Sequence, residues 1–570
     1  MTFIILTRVS VRKQIPEDHI DRKVEKMKLF KNVMLKAVSL VLIAVLMLSI
    51  VGCNNNKNKP DDTDDPSDIS AIVDDLPRDE EGKFDASYLE GVQLNMWSVI
   101  GQPDQDTLIN LVKEFNKEYA GMIEIKVTSV GHYDYYNALD STYANDYSNF
   151  PDLCYMHNEK NIEYALKGYF YPLDELITKT GVDIDFANAY DNIEKTTIYN
   201  DQHYGIPVDA HGYLTQIRQD IIKKNGLGFD NNTRFVPQSY EEYQTLLEGL
   251  RAKADTGELW VRNINLDQDH SWYQLKDGNP KLDKAATATV DNFYPAFFHS
   301  QESDNLTALY VNGGSLVDEN GKVSFNQNQG MVQYVTDLVE RYNSGLYGDA
   351  GNKEAAFPTG QVVMFSEGPW MVANTYDIWW NNKQLSTAGK LGVTEEDAND
   401  PVYQNPYAVA RPYYMADDSA PAETASKWYG NGHVITVTKK VTSMQKAAAA
   451  LIFAEWLTQG KDDNGNYNLV TWCKAGHVPA WKNVYESEGY KTAASKSITL
   501  TAMGDPDQII ALESSKFATT LISGLTTAVG EVQAQLLSAD GCTVAKAKEI
   551  FDAIAQSTQE ALNLLNLGIK

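Results

Sequence analysis

Cys53 is the side chain whose chemistry follows most directly from its neighbours. It lies just beyond an apolar run, residues 37–51, that is preceded by Lys28, Lys31 and Lys36. A basic segment followed by an apolar run of this length is typical of a signal peptide, and the run is shorter than the roughly 20 apolar residues of a transmembrane helix. The small residue before Cys53 gives a peptidase access, and the freed thiol can carry a diacylglycerol. The competing interpretation is a signal anchor with an incidental cysteine.

The segment Ile50-Val51-Gly52-Cys53 resembles the lipobox of bacterial lipoproteins. That resemblance implies cleavage before Cys53 and an N-terminal lipid, which makes residues 27–52 the signal peptide. Residues 1–26 carry no processing signal, and we interpret them as a non-native upstream extension. Residues 53–87 are rich in Asn, Asp, Pro and Ser and cannot bury enough apolar surface to fold, so they are predicted to be a disordered acidic tether.

Charge and cysteine content narrow the class of protein. The 570-residue chain has a formal net charge of −28, and its first 52 residues are net basic, so the mature chain is more acidic still. Such a surface repels phosphate backbones, which argues against nucleic acid as a partner. Cys154, Cys473 and Cys542 show neither CxxC nor Cys/His spacing and predict no disulfide framework or zinc site. We expect buried free thiols, and one long-range pair stays open.

Enzyme-like patterns give no prediction of catalysis: Lys179-Thr180-Gly181, Ser303-Asp304-Asn305 and Ser443-Met444-Gln445-Lys446 spell the signatures of penicillin-recognising serine enzymes, but in the reverse chain order. HExxH, GxSxG, P-loop and GxGxxG patterns are all absent from the sequence. Residues 462–466 resemble a calcium loop only in composition, because the alternating ligands and the closing Glu are missing. We therefore expect no catalytic residue, no metal and no cofactor. A pair of glycosidase carboxylates stays open among the 77 acidic residues.

The body of the chain has the pattern of an α/β protein. About 485 residues follow the tether, which is more than one hydrophobic core usually serves, so two lobes are expected. Residues 92–97 and 123–127 have strand character, and residues 104–119 carry apolar side chains at helical spacing. This predicts a βαβ unit with Asp104 or Asp106 as the helix N-cap.

Several segments further along occur in an order typical of one family. They are PDL at 151–153, YFYPLDELI at 169–177, YGIP at 204–207, PQSYEEYQTLLEGL at 237–250, TGQVVMF at 359–365 with GPW at 368–370, GHVITVTKK at 432–440 and GHVPA at 476–480. Together they resemble the extracellular solute-binding proteins of sugar ABC transporters, which include the maltose- and oligosaccharide-binding proteins.

The resemblance implies an α/β fold of two lobes, a type II periplasmic-binding-protein clamp with multiple crossovers between the lobes. Lobe 1 is expected to comprise residues 88–207 and 432–510. Lobe 2 is expected to comprise residues 208–431 and 511–570.

Aromatic platforms are the first set of candidate ligand-binding residues, because sugars present apolar C–H faces to flat rings. The GPW segment of the family implies that Trp370 stacks on a sugar ring. Trp97 ends the first predicted strand, where open α/β sheets place their ligands. Trp428 and Tyr429 precede GNGH and form a further candidate platform. Core packing is the alternative for each of them.

Asp209 and His211 are the polar candidates, since they follow the YGIP crossover on the hinge side of the expected cleft. A carboxylate can accept hydrogen bonds from two neighbouring hydroxyls. A solvated hinge loop is the alternative. Weaker candidates, expected mostly in the core or on the surface, are Trp272, Tyr273, Trp472, His477, His132 and His157.

These features predict a lipid-anchored binding component of an ABC importer, on the outer face of a membrane of Gram-positive type. It would capture an oligosaccharide between its lobes and deliver it, as a monomer, to permease subunits. Three alternatives remain: a lipid-anchored glycoside hydrolase, a binding protein for a solute other than sugar, and a surface lipoprotein that signals to a partner.

Overall fold

The computed structural model describes residues 68–78, 84–264, 271–276, 288, 292–297, 301–349, 351–370, 399–512 and 515–568. The upstream extension, the signal peptide and Cys53 lie outside these residues. Within the described ranges, no helix combines the length and the apolarity needed to cross a bilayer.

Fourteen strands carry the argument below. They are β1 Val92–Ser98, β2 Ile123–Ser129, β3 Leu153–His157, β4 Ile206–Pro207, β5 Asp209–Ala210, β6 Leu214–Arg218, β7 Tyr294–Phe297, β8 Tyr347–Gly348, β9 Val362–Glu367, β10 Tyr407–Ala410, β11 Trp428–Tyr429, β12 His433–Val437, β13 Val478–Pro479 and β14 Ile509–Ile510.

The longer helices alternate with these strands. They are α1 Asp104–Glu118, α2 His132–Asn145, α3 Asn158–Leu166, α4 Asp174–Thr180, α5 Gln219–Lys224, α6 Tyr240–Asp255, α7 Glu302–Val311, α8 Gln329–Asn343, α9 Lys353–Thr359, α10 Met444–Thr458, α11 Glu488–Ala494, α12 Ile498–Met503, α13 Ala518–Leu536 and α14 Val544–Gly568.

The first sheet has the strand order β2-β1-β3-β12-β4. β1 is parallel to β2 and to β3, with Val92 opposite Ile123 and Met96 opposite Leu153. Because α1 joins β1 to β2, the predicted βαβ unit is confirmed. β12 is antiparallel to β3 and β4, and all five of its residues are buried, as expected for a strand covered on both faces.

The predicted N-cap of α1 is wrong. Pro103 occupies the N-cap position and makes no side-chain capping bond, while Asp104 and Asp106 lie in the first turn. The Asp104 carboxylate instead contacts the His477 ring at 3.1 Å, and Asp106 accepts a hydrogen bond from the Gln102 amide. A tertiary contact has therefore overridden the local capping preference.

The second sheet has the strand order β8-β7-β9-β6-β10. β7 is parallel to β8 and β9, whereas β6 is antiparallel to β9 and β10. A fully buried ion network closes one end of β6: Asp220 binds Arg218 through two hydrogen bonds of 2.9 Å and Arg262 through one of 2.7 Å. Buried charges of this kind are stable only when they are paired.

Two large clusters of buried apolar side chains accompany the two sheets. In the first cluster, α10 is almost wholly buried, and four consecutive alanines, 447–450, give it a narrow surface. Cys154, Cys473 and Cys542 are free and buried, which confirms the prediction for these thiols.

Residues 68–78, which we call the N-terminal strap, contradict the part of the predicted disordered tether that they occupy. Ile69, Ile72 and Leu76 are buried in the first apolar cluster. Val73 pairs with the chain just before α10, and the Asp75 carboxylate accepts hydrogen bonds from the Ser443 hydroxyl and the Gln445 amide. Three apolar side chains and a capping carboxylate are enough to order a segment that is otherwise polar.

Candidate functional site

The connections between the two sheets bring three chain segments together. β5 lies between β4 of the first sheet and β6 of the second, and it pairs with β13, where Pro479 is opposite Asp209. The amide of His211 donates to the Asn431 carbonyl at 2.8 Å, two residues before β12 begins at His433. The segments around 209–211, 431–433 and 477–479 are therefore neighbours.

Four side chains from these segments, Asp209, His211, His433 and His477, form what we call the His–Asp cluster. All four are buried. The Asp209 carboxylate is 2.8 Å from Nδ1 of His433, 3.3 Å from Nδ1 of His211 and 3.8 Å from Nδ1 of His477. Three imidazoles thus surround a single carboxylate.

Two further side chains hold the cluster from outside. The Trp472 indole N–H donates to the Asp209 carboxylate, and the indole ring stacks on the His477 ring with centroids 4.7 Å apart. On its other side, His477 is fixed by the 3.1 Å contact between its Nε2 and Asp104 at the start of α1. The cluster is therefore anchored to the first lobe by an indole and a second carboxylate.

Burial and neighbouring charge act in opposite directions in the cluster. Burial alone would raise the pKa of Asp209, but the facing His433 and His477 rings and the hydrogen bonds from His211 and His433 hold it well below its usual range. Burial lowers the pKa of His211 to about 4, despite its bond to Asp209. Burial alone would lower the pKa of His477, but the carboxylates of Asp209 and Asp104 outweigh burial and raise this pKa above its ordinary value. The carboxylate at the centre of the cluster is therefore held in its ionised form, and it attracts a positive charge to that position.

A row of rings extends the cluster. His211 stacks on His433 with centroids 4.8 Å apart, and His433 stacks on His157 at 5.2 Å. His157 in turn meets His132 edge-on at 5.0 Å. Burial holds the pKa values of both His157 and His132 below the ordinary value, so this end of the row is neutral.

Trp370 lies at the other end of the row. It follows β9, is half-buried, and meets His211 and Tyr213 edge-on at centroid distances of 6.1 and 5.8 Å. Its neighbour Pro369 touches the chain at Gly476, where an added Cβ would lie 2.6 Å from the Pro369 Cβ. The GPW turn therefore packs against the segment that carries His477.

Of the six predicted ligand-binding residues, the structure brings Asp209, His211 and Trp370 together. Trp97 is half-buried on β1 and packs against the first apolar cluster. Trp428 and Tyr429 form β11, which pairs with β14, and both are almost fully buried, one in each apolar cluster. Their present surroundings are those of core residues on a crossover strand.

The weaker candidates divide into two groups. Trp472, His477, His157 and His132 belong to the cluster or to its row of rings, as described above. Trp272 lies instead within the second lobe, where the Arg262 guanidinium is 4.7 Å from its ring centre, and Tyr273 is on a short strand pair beside it.

His433 is the residue that sequence reasoning missed. It opens the fully buried strand β12, directly after Gly432, and a histidine in such an apolar strand was the available signal. Gly432 allows close approach here, because an added Cβ would lie 2.2 Å from the Asp209 carbonyl oxygen. Three histidines and an aspartate also have the side-chain types that bind transition metals, and one candidate ligand atom from each lies within 4.8 Å of the others.

Two carboxylates, one on α3 and one on α7, interact electrostatically with each other. Glu159 on α3 is buried, and burial raises its pKa to about 7, with Lys160 opposing this shift and Glu302 on α7 adding to it. Burial raises the pKa of Glu302 as well. Beside the pair, Lys160 donates to the Thr519 hydroxyl of α13 at 3.1 Å, which joins elements of the two lobes.

Solved structures with the same fold come from several bacteria. The GacH receptor of Streptomyces glaucescens, described unliganded and with acarbose, is 17% identical at a TM-score of 0.56, covering 83% of this chain and 98% of that one. An ABC substrate-binding protein from Listeria monocytogenes in complex with cycloalternan is 15% identical at a TM-score of 0.55, covering 83% and 99%. UgpB from Mycobacterium tuberculosis in complex with glycerophosphocholine is 13% identical at a TM-score of 0.56, again covering 83% and 99%.

The sequence itself matches a family model. Residues 110–496 match the model described as bacterial extracellular solute-binding protein. A comparison with curated proteins gave no match. With its two lobes of mixed α/β structure and their maltose-binding-protein-like architecture, the chain belongs to the bacterial extracellular solute-binding protein family.

Proposed function

We propose that this protein is the lipid-anchored carbohydrate-binding component of an ABC importer and that its ligand is an oligosaccharide. The ligand is captured between the lobes, beside Trp370, and is released unchanged to permease subunits. Lobe closure around the ligand is the step that presents a closed surface to the transporter.

The observation that carries this proposal is the position of Trp370. A half-buried indole lies next to the buried His211 ring, on the connection between the two sheets, and next to the half-buried Tyr213 ring, and both rings carry hydrogen-bonding groups. This combination of an aromatic face and fixed polar groups suits a sugar ring and its hydroxyls. Acarbose and cycloalternan, named in two of the similar structures, are carbohydrates and support the same choice.

Asp209 has a different role in this proposal from the one expected from sequence. Its oxygens already accept from His433, His211 and Trp472, so it positions the rings beside the ligand instead of binding two hydroxyls itself. His211 and Trp370 are the proposed contacts, and Trp97, Trp428 and Tyr429 are further proposed platforms that an opened cleft would uncover.

Titration calorimetry with a panel of linear and cyclic glucans tests the proposal. At least one ligand should bind with a Kd in the micromolar range, about −8 kcal/mol. Trp370→Ala should weaken that binding at least about tenfold, or 1.4 kcal/mol, because the stacking face is lost. Trp260→Ala removes an exposed indole from a strand pair of lobe 2 and is the matched control. Equal affinity of both variants and the parent protein would remove Trp370 from the site.

The same titrations address the two main alternatives. If the protein bound a phosphodiester such as glycerophosphocholine and no glucan, the result would favour a binding protein for a solute other than sugar. Shortened products after incubation with the best glucan would favour a hydrolase.

The anchor and the lobe limits remain part of this proposal. We infer lipidation at Cys53, with lobe 1 at 88–207 plus 432–510 and lobe 2 at 208–431 plus 511–570, in a monomer on the outer membrane surface. Mass spectrometry of the mature N-terminus should find a diacylglyceryl group on Cys53. A mature chain without an acyl group, or one that still carries residues 27–52, would refute the anchor and leave the carbohydrate proposal untouched.

A further inference from the structure

We propose that the His–Asp cluster is a zinc site, in which Asp209, His211, His433 and His477 bind one Zn²⁺ ion. This goes beyond carbohydrate binding, because the ion would be held by the protein with or without a sugar. The proposal is carried by the geometry of the four side chains and by the partners that hold them.

The spacing of the ligand atoms suits a tetrahedral ion. Zn–N bonds of about 2.0–2.1 Å and Zn–O bonds of about 2.0–2.2 Å place neighbouring ligand atoms of a tetrahedron about 3.3 Å apart. From Oδ1 of Asp209, the Nδ1 atoms of His433, His211 and His477 lie at 3.1, 3.3 and 3.8 Å, and candidate ligand atoms of all four residues lie within 4.8 Å of one another. Closing the widest of these separations by about 1.5 Å would complete the tetrahedron.

The atoms outside the cluster have the arrangement that zinc sites use. A metal-binding histidine usually engages a carboxylate or carbonyl with its second ring nitrogen. His477 does so, because its Nε2 contacts Asp104 at 3.1 Å. Its buried Nδ1, which faces Asp209, has no hydrogen-bond partner among the described residues. The indole of Trp472 bonds the Asp209 carboxylate and fixes its orientation.

Donor type and charge select the ion. Three imidazole nitrogens and one carboxylate oxygen are ligands for zinc and neighbouring transition metals, whereas Ca²⁺ and Mg²⁺ prefer oxygen. Four protein ligands in a buried site give the closed tetrahedral coordination of structural zinc. The two carboxylates of Asp209 and Asp104 balance the two charges of the ion, while the histidines bind as neutral rings.

The site joins the chain segments that run between the lobes. Asp209 and His211 lie on the β4-to-β6 connection, His433 opens β12, and His477 precedes β13, which pairs with β5. A bound ion would therefore tie three segments together at the hinge and hold one wall of the cleft, since His211 also contacts Trp370.

The test uses the full-length protein, purified in detergent without a polyhistidine tag, stripped with a chelator and titrated with Zn²⁺ alone. We expect one zinc per chain after desalting, a higher Tm with zinc, and intense visible bands of tetrahedral Co²⁺ when cobalt replaces zinc. His433→Gln should weaken zinc binding by about 100-fold or more, and Trp472→Phe by about 10- to 100-fold, the range for residues that orient ligands. His203→Gln is the control, because that imidazole also contacts two carboxylates, Asp174 and Glu194, outside the cluster.

Three outcomes would overturn the proposal. The stripped parent protein could fail to retain zinc, its cobalt form could show only weak octahedral bands, or His203→Gln could reduce zinc binding as much as His433→Gln. Each would mean that these four side chains do not hold a tetrahedral ion. If His433→Gln does not fold, the stoichiometry and cobalt spectrum of the parent protein still decide the question. None of these measurements involves a sugar, so they fail or succeed independently of the carbohydrate proposal.

Discussion

Replacing Glu159 by Gln should stabilise this protein at alkaline pH and leave it unchanged in acid. Glu159 is buried on α3, and its Oε2 has no hydrogen-bond partner within the described ranges. Burial is the main cause of its raised pKa; Lys160 opposes the shift, and the charge of Glu302 on α7 adds to it. Above neutral pH the folded protein therefore holds an ionised Glu159 carboxylate in a buried position. Gln keeps the shape of Glu159 and removes its charge.

The size of the effect follows from the pKa. Burial raises the pKa of Glu159 from 4.5 to about 7, an interval worth about 3 kcal/mol. Between these two pH values the folded protein binds a proton that the unfolded chain does not bind, so stability falls as pH rises. The contribution is fully present below pH 4.5 and is lost as pH rises through about 7. Glu159→Gln should match the parent protein at pH about 4 and exceed its stability at pH about 8 by up to about 3 kcal/mol.

Urea unfolding of both proteins at several pH values between about 4 and 8 measures this difference, and taking the difference cancels the titration of all other groups. Glu114→Gln is the control, because it removes an equal charge from an exposed carboxylate on α1 that pairs with Lys117 at 3.7 Å. A stability difference for Glu159→Gln that is the same at every pH would refute the reasoning. It would mean that the two lobes do not enclose this carboxylate in solution.

Other perturbations test the packing described above. Asp220→Ala should cost at least about 3 kcal/mol in urea unfolding, because it leaves two buried guanidinium groups unpaired; a loss below about 1 kcal/mol would contradict the buried network. Asp75→Ala should lower the Tm, at a cost of about 1 kcal/mol in stability, because the carboxylate that caps α10 is lost. Asp74→Ala, at the exposed neighbouring residue, should leave the Tm unchanged. Equal effects of the two substitutions would argue against a docked strap. Burial raises the pKa of the Cys154 thiol to about 12, so a thiol reagent should modify it only after denaturation, and stoichiometric labelling of the native protein would contradict that burial.

The sequence predicts local elements of this fold well and their ends less well. Alternation along 92–97 and 123–127 was enough to predict β1 and β2, because one face of each strand is buried. The N-cap of α1 was missed because Asp104 bonds His477, a partner 373 positions away. Rules based on neighbouring residues cannot predict that a carboxylate will bind a ring from a distant part of the chain.

The strap shows how composition can mislead. Asn, Asp, Pro and Ser dominate residues 53–87, and the average composition of this segment predicts disorder. Ile69, Ile72 and Leu76 nevertheless lie within one stretch of eight residues, and all three are buried. Apolar content counted in a window of about ten residues would have revealed these three side chains, whereas the composition of the whole segment did not.

The site was predictable only in part for a similar reason. Trp370 was found through the family motif that contains it, and Asp209 and His211 through the YGIP motif that they follow. His433 was missed and Trp472 was ranked low because they lie 224 and 263 positions from Asp209, and nothing local links them to it. Only the antiparallel pairing of β12 with β4, and of β13 with β5, brings them together.

The His–Asp cluster and the carboxylate pair are linked through two hydrogen bonds between Asn158 and Gly432, which makes them testable together. The amide of Asn158 donates to the Gly432 carbonyl at 2.9 Å, and the Asn158 side chain accepts from the Gly432 amide at 3.2 Å. His433 and Glu159 directly follow these residues, so a shift of β12 must move α3. If Glu159→Gln favours the closed arrangement and zinc binds that arrangement better, the variant must also bind zinc more tightly above neutral pH, because linkage is reciprocal. Equal zinc affinity in the variant and the parent protein at pH about 8 would show that the ion and the lobe contact are independent.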